Sequence, residues 1–102
     1  MHARVTQFRI LPDKLENFRL ASNSIRPIIR KQAGFRALLV LRTGEEAAPE
    51  ATVVSVWDSH EALRGSEKNL FLYQAISRVL GYCEGFPLIK EYEVISSEFA
   101  GK

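Results

Sequence analysis

β-rich and helical segments follow one another in the order β-α-β-β-α-β, and this order predicts a ferredoxin-like α+β domain with one four-stranded antiparallel sheet and two helices on one of its faces. Three observations carry the prediction. Hydrophobic spacing switches between strand-like and helical periods along the chain. The 102 residues, 46% of them hydrophobic, fit one folded domain over 1–102 with no interdomain linker. The second and third strands are apolar on both alternating sets, which a sheet with one covered face does not need.

The elements follow in order. Residues 3–11 alternate loosely and read as the first strand. Pro12 and Asp13 then start a helix, with Asp13 as cap and Glu16 three residues on completing a capping-box pair. Leu15, Phe18, Ser22, Ile25 and Ile29 form its inward stripe. Pro27 inside it predicts a kink near Asn23–Ser24, and Gly34 ends it. Phe35–Arg42 is the second strand, Thr43–Ala51 a protruding polar hairpin loop, and Thr52–Trp57 the third strand. Asp58 caps a short helix broken at Gly65, and Ser66 caps a longer one reaching about Tyr82. That helix carries two apolar stripes, Leu70, Tyr73, Ile76 or Ser77, Leu80 and Cys83 on one and Phe71, Leu72, Ala75, Val79 and Tyr82 on the other. Gly85-Phe86-Pro87 is a turn, and Leu88–Phe99 the long last strand.

Composition narrows the function classes. The net charge is +2, and basic and acidic residues are mixed without a block, which excludes an electrostatic grip on nucleic acid or an anionic membrane. The third strand also lacks the basic-aromatic pattern by which this topology serves RNA recognition. Cys83 is the only cysteine, so neither an intrachain disulfide nor a multi-cysteine zinc site can form, and a reducing cytoplasm is the expected compartment. No run approaches the roughly 20 apolar residues that span a bilayer, and no signal-peptide stretch opens the chain.

Helices can shield only one face of the sheet, and the loop 43–51 is too polar to cover the other. The expected solution is a homodimer, sheet on sheet, with the last strand reaching the partner's edge.

The chain also resembles a known group. Pro27 to Arg36, with Gly34-Phe35 before a Leu- and Val-rich strand, and Ser55-Val56-Trp57-Asp58-Ser59-His60-Glu61-Ala62-Leu63 after strand three, look like the antibiotic-biosynthesis monooxygenase superfamily of dimeric α/β barrels, above all its small stand-alone bacterial members. The resemblance implies a cleft between sheet and helices that takes a small molecule. It implies cofactor-free oxygenation of a small aromatic or enolisable substrate, with a non-catalytic dimeric ligand-binding or stress-associated module as the alternative. Specific activities are less well matched. Quinone-forming members pair the strand-three Trp with an Asn four residues earlier, where this chain has Val53, and use a Tyr shortly after it, where this chain has Leu63. Haem-degrading members need a Trp and then a His, and Ser66 and Tyr73-Gln74-Ala75 occupy those regions here. The long helix has no histidine for iron, so no cofactor and no metal site are expected.

Candidate residues each have a plainer reading. Trp57 could stack on a flat substrate and donate its indole N–H, or close the sheet end as core. Arg78 could stabilise an enolate, or form a surface ion pair. Tyr73 and Tyr82 could present hydroxyls, or pack with a polar tip. Gln7 and Thr6 are polar groups on strand one, and whichever faces inward needs a partner. His60 could act as a base oriented by Asp58, though first-turn positions are usually wet; His2 reads as solvated. Glu91 and Glu93 share a strand face and suit salt bridges as well as acid–base work. Cys83, beside Glu84, is not activated as a nucleophile. No catalytic residue is assigned. A cleft of roughly 300 Å³ with converging polar groups would mark an enzyme or receptor, and one packed solid by Phe71, Leu72 and Tyr82 a structural module.

Overall fold

The structure, a computed structural model, describes residues 1–68 and 70–100. Four strands, β1 (His2–Arg9), β2 (Phe35–Glu45), β3 (Ala48–Trp57) and β4 (Leu88–Glu93), form one antiparallel sheet in the order β2-β3-β1-β4. Helices α1 (Leu15–Asn23), α2 (Arg26–Ile29), α3 (His60–Lys68) and α4 (Phe71–Val79), with a 3-10 turn at Leu80–Tyr82, complete the expected α+β arrangement. No helix among the described residues is long and apolar enough to cross a membrane.

The hairpin differs from the sequence reading. Thr43–Ala51 is not a loop: Gly44 pairs with Pro49 and Glu45 with Ala48, leaving only residues 46 and 47 to turn. Polar composition reads as loop, but ladder hydrogen bonds come from the backbone and do not require apolar side chains. Gly44 has φ +86°, and a Cβ there would lie 2.6 Å from the Ala48 carbonyl oxygen. The ladder beside the turn thus approaches closely at a residue with no side chain.

The helical segments are cut differently as well. Helix one divides between α1 and α2 at Ser24–Ile25, as Pro27 requires. The Asp13 cap does not form: Asp13 takes φ 66°, Lys14 holds the cap position without a side-chain bond, and Glu16 pairs with Arg19. A turn closed by the Lys14 N–H on the Leu11 carbonyl puts Asp13 in the left-handed region, which Asp tolerates. Gly65 does not break α3, and Ser66 caps nothing. Leu63 and Ser66 on either side of Gly65 are buried, and that packing outweighs the ~1 kcal/mol that a helical glycine costs. The break comes later, at Leu70, whose φ is 66°. The cap of α3 is Ser59, whose Oγ accepts the Ala62 N–H at 3.1 Å, not Asp58, which pairs with Arg36.

The last strand ends at Glu93, not Phe99. Its sheet neighbour β1 begins at His2, which pairs with Glu93, so no strand remains alongside 94–100. Register fixes the faces. Arg4, Thr6 and Phe8 lie opposite Ser55, Val53 and Ala51, and Leu38 and Val40 continue the row, all on the helix side. Val5, Val54, Val56, Leu39 and Leu41 alternate to the other side, where Leu39 stays 54% exposed.

Two apolar clusters fill the helix side. Phe8, Ile10, Phe18, Ala51 and Val79 form one. Ile25, Ile29, Trp57, Leu63 and Phe71 form the other. Gly34 brings α3 onto the second cluster: at φ +79° its missing Cβ would stand 2.4 Å from that of Ala62.

Candidate functional site

Between the clusters is a cavity of about 50 Å³. Its walls are apolar, with Phe18, Ile25 and Ile29 from helix one, Leu38, Val40 and Val53 from the sheet, and Leu72, Ala75 and Ile76 from α4. Helix α4 is anchored at both ends by buried Phe71 and Val79, and its half-buried middle spans the cavity. Four polar residues enter this lining: Arg4, Thr6, Ser22 and Ser55.

Arg4 is the feature that sets the chemistry. It is 2% exposed, although it is a strand residue with a full charge. Nη1 donates to Ser66 Oγ at 3.0 Å and Nη2 to the Leu63 carbonyl at 3.1 Å. Glu67 lies 3.3 Å and Glu91 3.9 Å from Nη2, and Arg64 bridges the same two carboxylates at 2.9 and 3.0 Å. Burial pushes the guanidinium below its ordinary range, and the two carboxylates oppose that push. Its Nε is buried with no hydrogen-bond partner. An orphaned donor on a buried charged group is costly, and Arg4 is among the residues that line the cavity.

Ser55 stands directly across the ladder from Arg4. Trp57 Nε1 donates to Ser55 Oγ at 2.9 Å, which occupies the hydroxyl as an acceptor and leaves its proton to donate elsewhere. Ser22 differs, because its Oγ donates to the Arg19 carbonyl. Among the described residues the lining contains no His, Asp, Glu, Lys or Tyr. The site can therefore bind and stabilise an oxygen carrying negative charge, and it offers no base of its own.

The residues singled out from sequence are dispersed. Trp57 is fully buried in the second cluster, edge-on to Phe35, outside the cavity lining. Arg78 is exposed and donates to Ser24 Oγ at 3.0 Å, tying α4 to the end of α1. Tyr73 is 65% exposed on the outer stripe of α4. Tyr82 packs against the first cluster. Gln7 faces away from the helices and lines a surface hollow with Arg9, Glu50, Phe86 and Leu88. Thr6 does reach the cavity. His60 accepts from Arg64 Nε at 3.3 Å, and its ring lies 5.4 Å from that of His2. Glu91 joins the ion network around Arg4. Among the described residues no group of three or more His, Cys, Asp or Glu is placed to hold a metal. Sequence reasoning missed Arg4 and Ser55. The available signal was a period-two set, Arg4, Thr6 and Phe8, that places an arginine on the face of its strand that also carries a buried aromatic residue.

Comparison with known proteins agrees with the fold. SnoaB from Streptomyces nogalater, described as a cofactor-independent oxygenase, superposes with a TM-score of 0.73 at 14% identity, covering 94% of each chain. MhuD, in a form with manganese protoporphyrin IX bound, gives 0.77 at 18% identity over 98% of this chain and 100% of that one. A protein of unknown function from Nitrosomonas europaea gives 0.77 at 14% identity over 99% and 95%. At these identities the likeness is one of fold. No curated protein matches the sequence. The family model described as antibiotic biosynthesis monooxygenase matches residues 1–70, and the chain belongs to that family.

Proposed function

We propose that the chain is a monooxygenase-like module that takes a small aromatic or enolisable substrate into the cavity between sheet and helices and works without a cofactor. The observation that supports this is Arg4, a buried guanidinium among the residues that line an apolar cavity. Oxygen in its triplet state reacts with electron-rich partners, so such a substrate must first become an enolate or phenolate. A donor held in a dry site stabilises that anion at no cost in reorganisation. In the overall reaction a CH2 group and O2 become a C=O group and water, and the substrate supplies both electrons and both protons that leave as water. Because the lining has no base among the described residues, the substrate's own acidity, or water at the cavity mouth, must handle the first proton.

A porphyrin is a poor fit. Among the described residues the lining offers no His, Cys, Met or Tyr to an iron, and the cavity is far smaller than the macrocycle.

A second reading has its own support. The cavity of about 50 Å³ is far below the roughly 300 Å³ expected of an enzyme or receptor cleft, and this favours a non-catalytic module. Oxygen uptake with 1,8-dihydroxyanthrone separates the two. Catalysis predicts uptake above the spontaneous rate, one O2 per ketone formed, and reduced by Arg4→Lys. Uptake no faster than in protein-free buffer, with binding intact, selects the second reading.

The same proposal includes a homodimer. Leu39, Leu41, Val54 and Val56 form an apolar surface that no helix covers, and a second copy related by a two-fold axis would bury it.

A further inference from the structure

The volume of the cavity limits what it can enclose. A dry cavity of roughly 150 Å³ accommodates benzene or xenon, and this one has about 50 Å³, a third of that. Dioxygen has two heavy atoms to benzene's six, the same ratio. An aromatic ring cannot be enclosed whole, and a diatomic molecule can.

The chemistry of the wall points the same way. Phe8, Phe18, Ile29, Phe71 and Val79 in the lining are buried hydrocarbon. The polar groups are largely committed to protein partners. Arg4 Nη1 and Nη2 donate to Ser66 Oγ and the Leu63 carbonyl, Ser22 Oγ donates to the Arg19 carbonyl, and Ser55 Oγ accepts the Trp57 indole N–H. A buried water typically makes about three hydrogen bonds, and a lining so committed supplies few. An apolar diatomic molecule needs none, and it restores the dispersion contacts that an empty space forfeits. Val40, 40% exposed, and the half-buried Leu72, Ala75 and Ile76 mark where the cavity meets solvent.

We propose that the enclosed part of the cavity is a site for dioxygen, which the reacting carbon of the substrate meets from the mouth marked by Val40 and Ile76. The inference deepens the functional reading above and rests on it, because that reading makes dioxygen a reactant. A ring too large to be enclosed then stays at the mouth, and only its reacting edge enters.

Xenon is an apolar probe for such a site, followed by methyl-resolved NMR of the full chain under gas pressure. The methyls of Val53, Ala75 and Ile76 should shift saturably with xenon pressure, and those of Ile95, 91% exposed, should not. Dioxygen added at fixed xenon pressure should reduce the shifts by competition. Ala75→Val, which adds two carbon atoms to the lining, should abolish them and slow oxygen uptake with 1,8-dihydroxyanthrone, with the near-ultraviolet dichroism of Trp57 confirming that the variant is folded. If that variant does not fold, the competition between the two gases decides. Three results overturn the inference: no saturable shift at the cavity methyls, xenon shifts that dioxygen leaves unchanged, or unchanged uptake in a folded Ala75→Val that no longer binds xenon. Native uptake above the spontaneous rate in any of these cases keeps the functional reading. Xenon shifts that dioxygen reduces, with native uptake no faster than in protein-free buffer, keep the gas site and overturn the functional reading.

Discussion

Arg4 and Ser66, 62 positions apart in the chain, meet at 3.0 Å through Nη1 and Oγ, and Ser66 in turn donates to the Leu63 carbonyl at 2.7 Å. This contact fastens the first strand to the middle of α3. It explains how α3 continues through Gly65, because the turn containing that glycine is held from below by a buried guanidinium. Arg4→Ala should destabilise the fold by about 2–4 kcal/mol, from lost hydrogen bonds and an unfilled volume. Arg4→Met, which refills the volume, should recover about half of that loss. Urea unfolding of the two variants beside the native chain measures both.

Gly34→Ala combines two penalties, a side chain at φ +79° and a Cβ driven onto Ala62 at 2.4 Å. The left-handed conformation alone costs about 1–2 kcal/mol, and the overlap adds to it. A total of about 2–4 kcal/mol is expected in equilibrium unfolding. Ala62→Gly in the Gly34→Ala background should recover part of it, because it removes the atom that is struck.

Leu39 lies at the centre of the uncovered face. Leu39→Glu should convert the proposed dimer to a folded particle of 11.6 kDa in sedimentation velocity at micromolar concentration. A native chain that already sediments at that mass removes the basis for the dimer.

Cys83 sets a pH dependence. Burial pushes its thiol up to about 11 from an ordinary 9.0. The folded state therefore keeps a proton that the unfolded chain loses as pH rises past about 9. Below that window the thiol is protonated in both states and contributes no pH dependence. Between about 9 and 11 the folded state binds more protons, so stability falls with rising pH. The fall should be shallower in Cys83→Ala, measured by urea unfolding from pH 8 to 10.5. Iodoacetamide should also label native Cys83 far more slowly at pH 8 than the urea-unfolded chain.

Some features were settled by the chain's own pattern. The order of elements follows from where hydrophobic periodicity changes, and the split at Ser24–Ile25 from Pro27, which has no N–H to donate. The stripe Phe18, Ser22, Ile25 and Ile29 is buried as its helical spacing requires. The second face of the sheet was legible in Val54, Val56, Leu39 and Leu41, because strand side chains alternate whatever the sequence beyond them does. What only the tertiary structure decided was partnership across the chain. Nothing near Arg4 in sequence shows that Ser66, Glu67 and Glu91 close around it, and that closure makes a buried guanidinium tolerable. Gln7 and Thr6 are adjacent and both polar, yet register sends Gln7 to the open face and Thr6 into the cavity. Packing placed Trp57 in the second cluster, outside the cavity lining, with its indole N–H on the Ser55 hydroxyl oxygen. Local pattern fixes which side chains share a face; three-dimensional packing fixes which buried polar atoms are left without a partner, His2 Nδ1 and Arg4 Nε among the described residues.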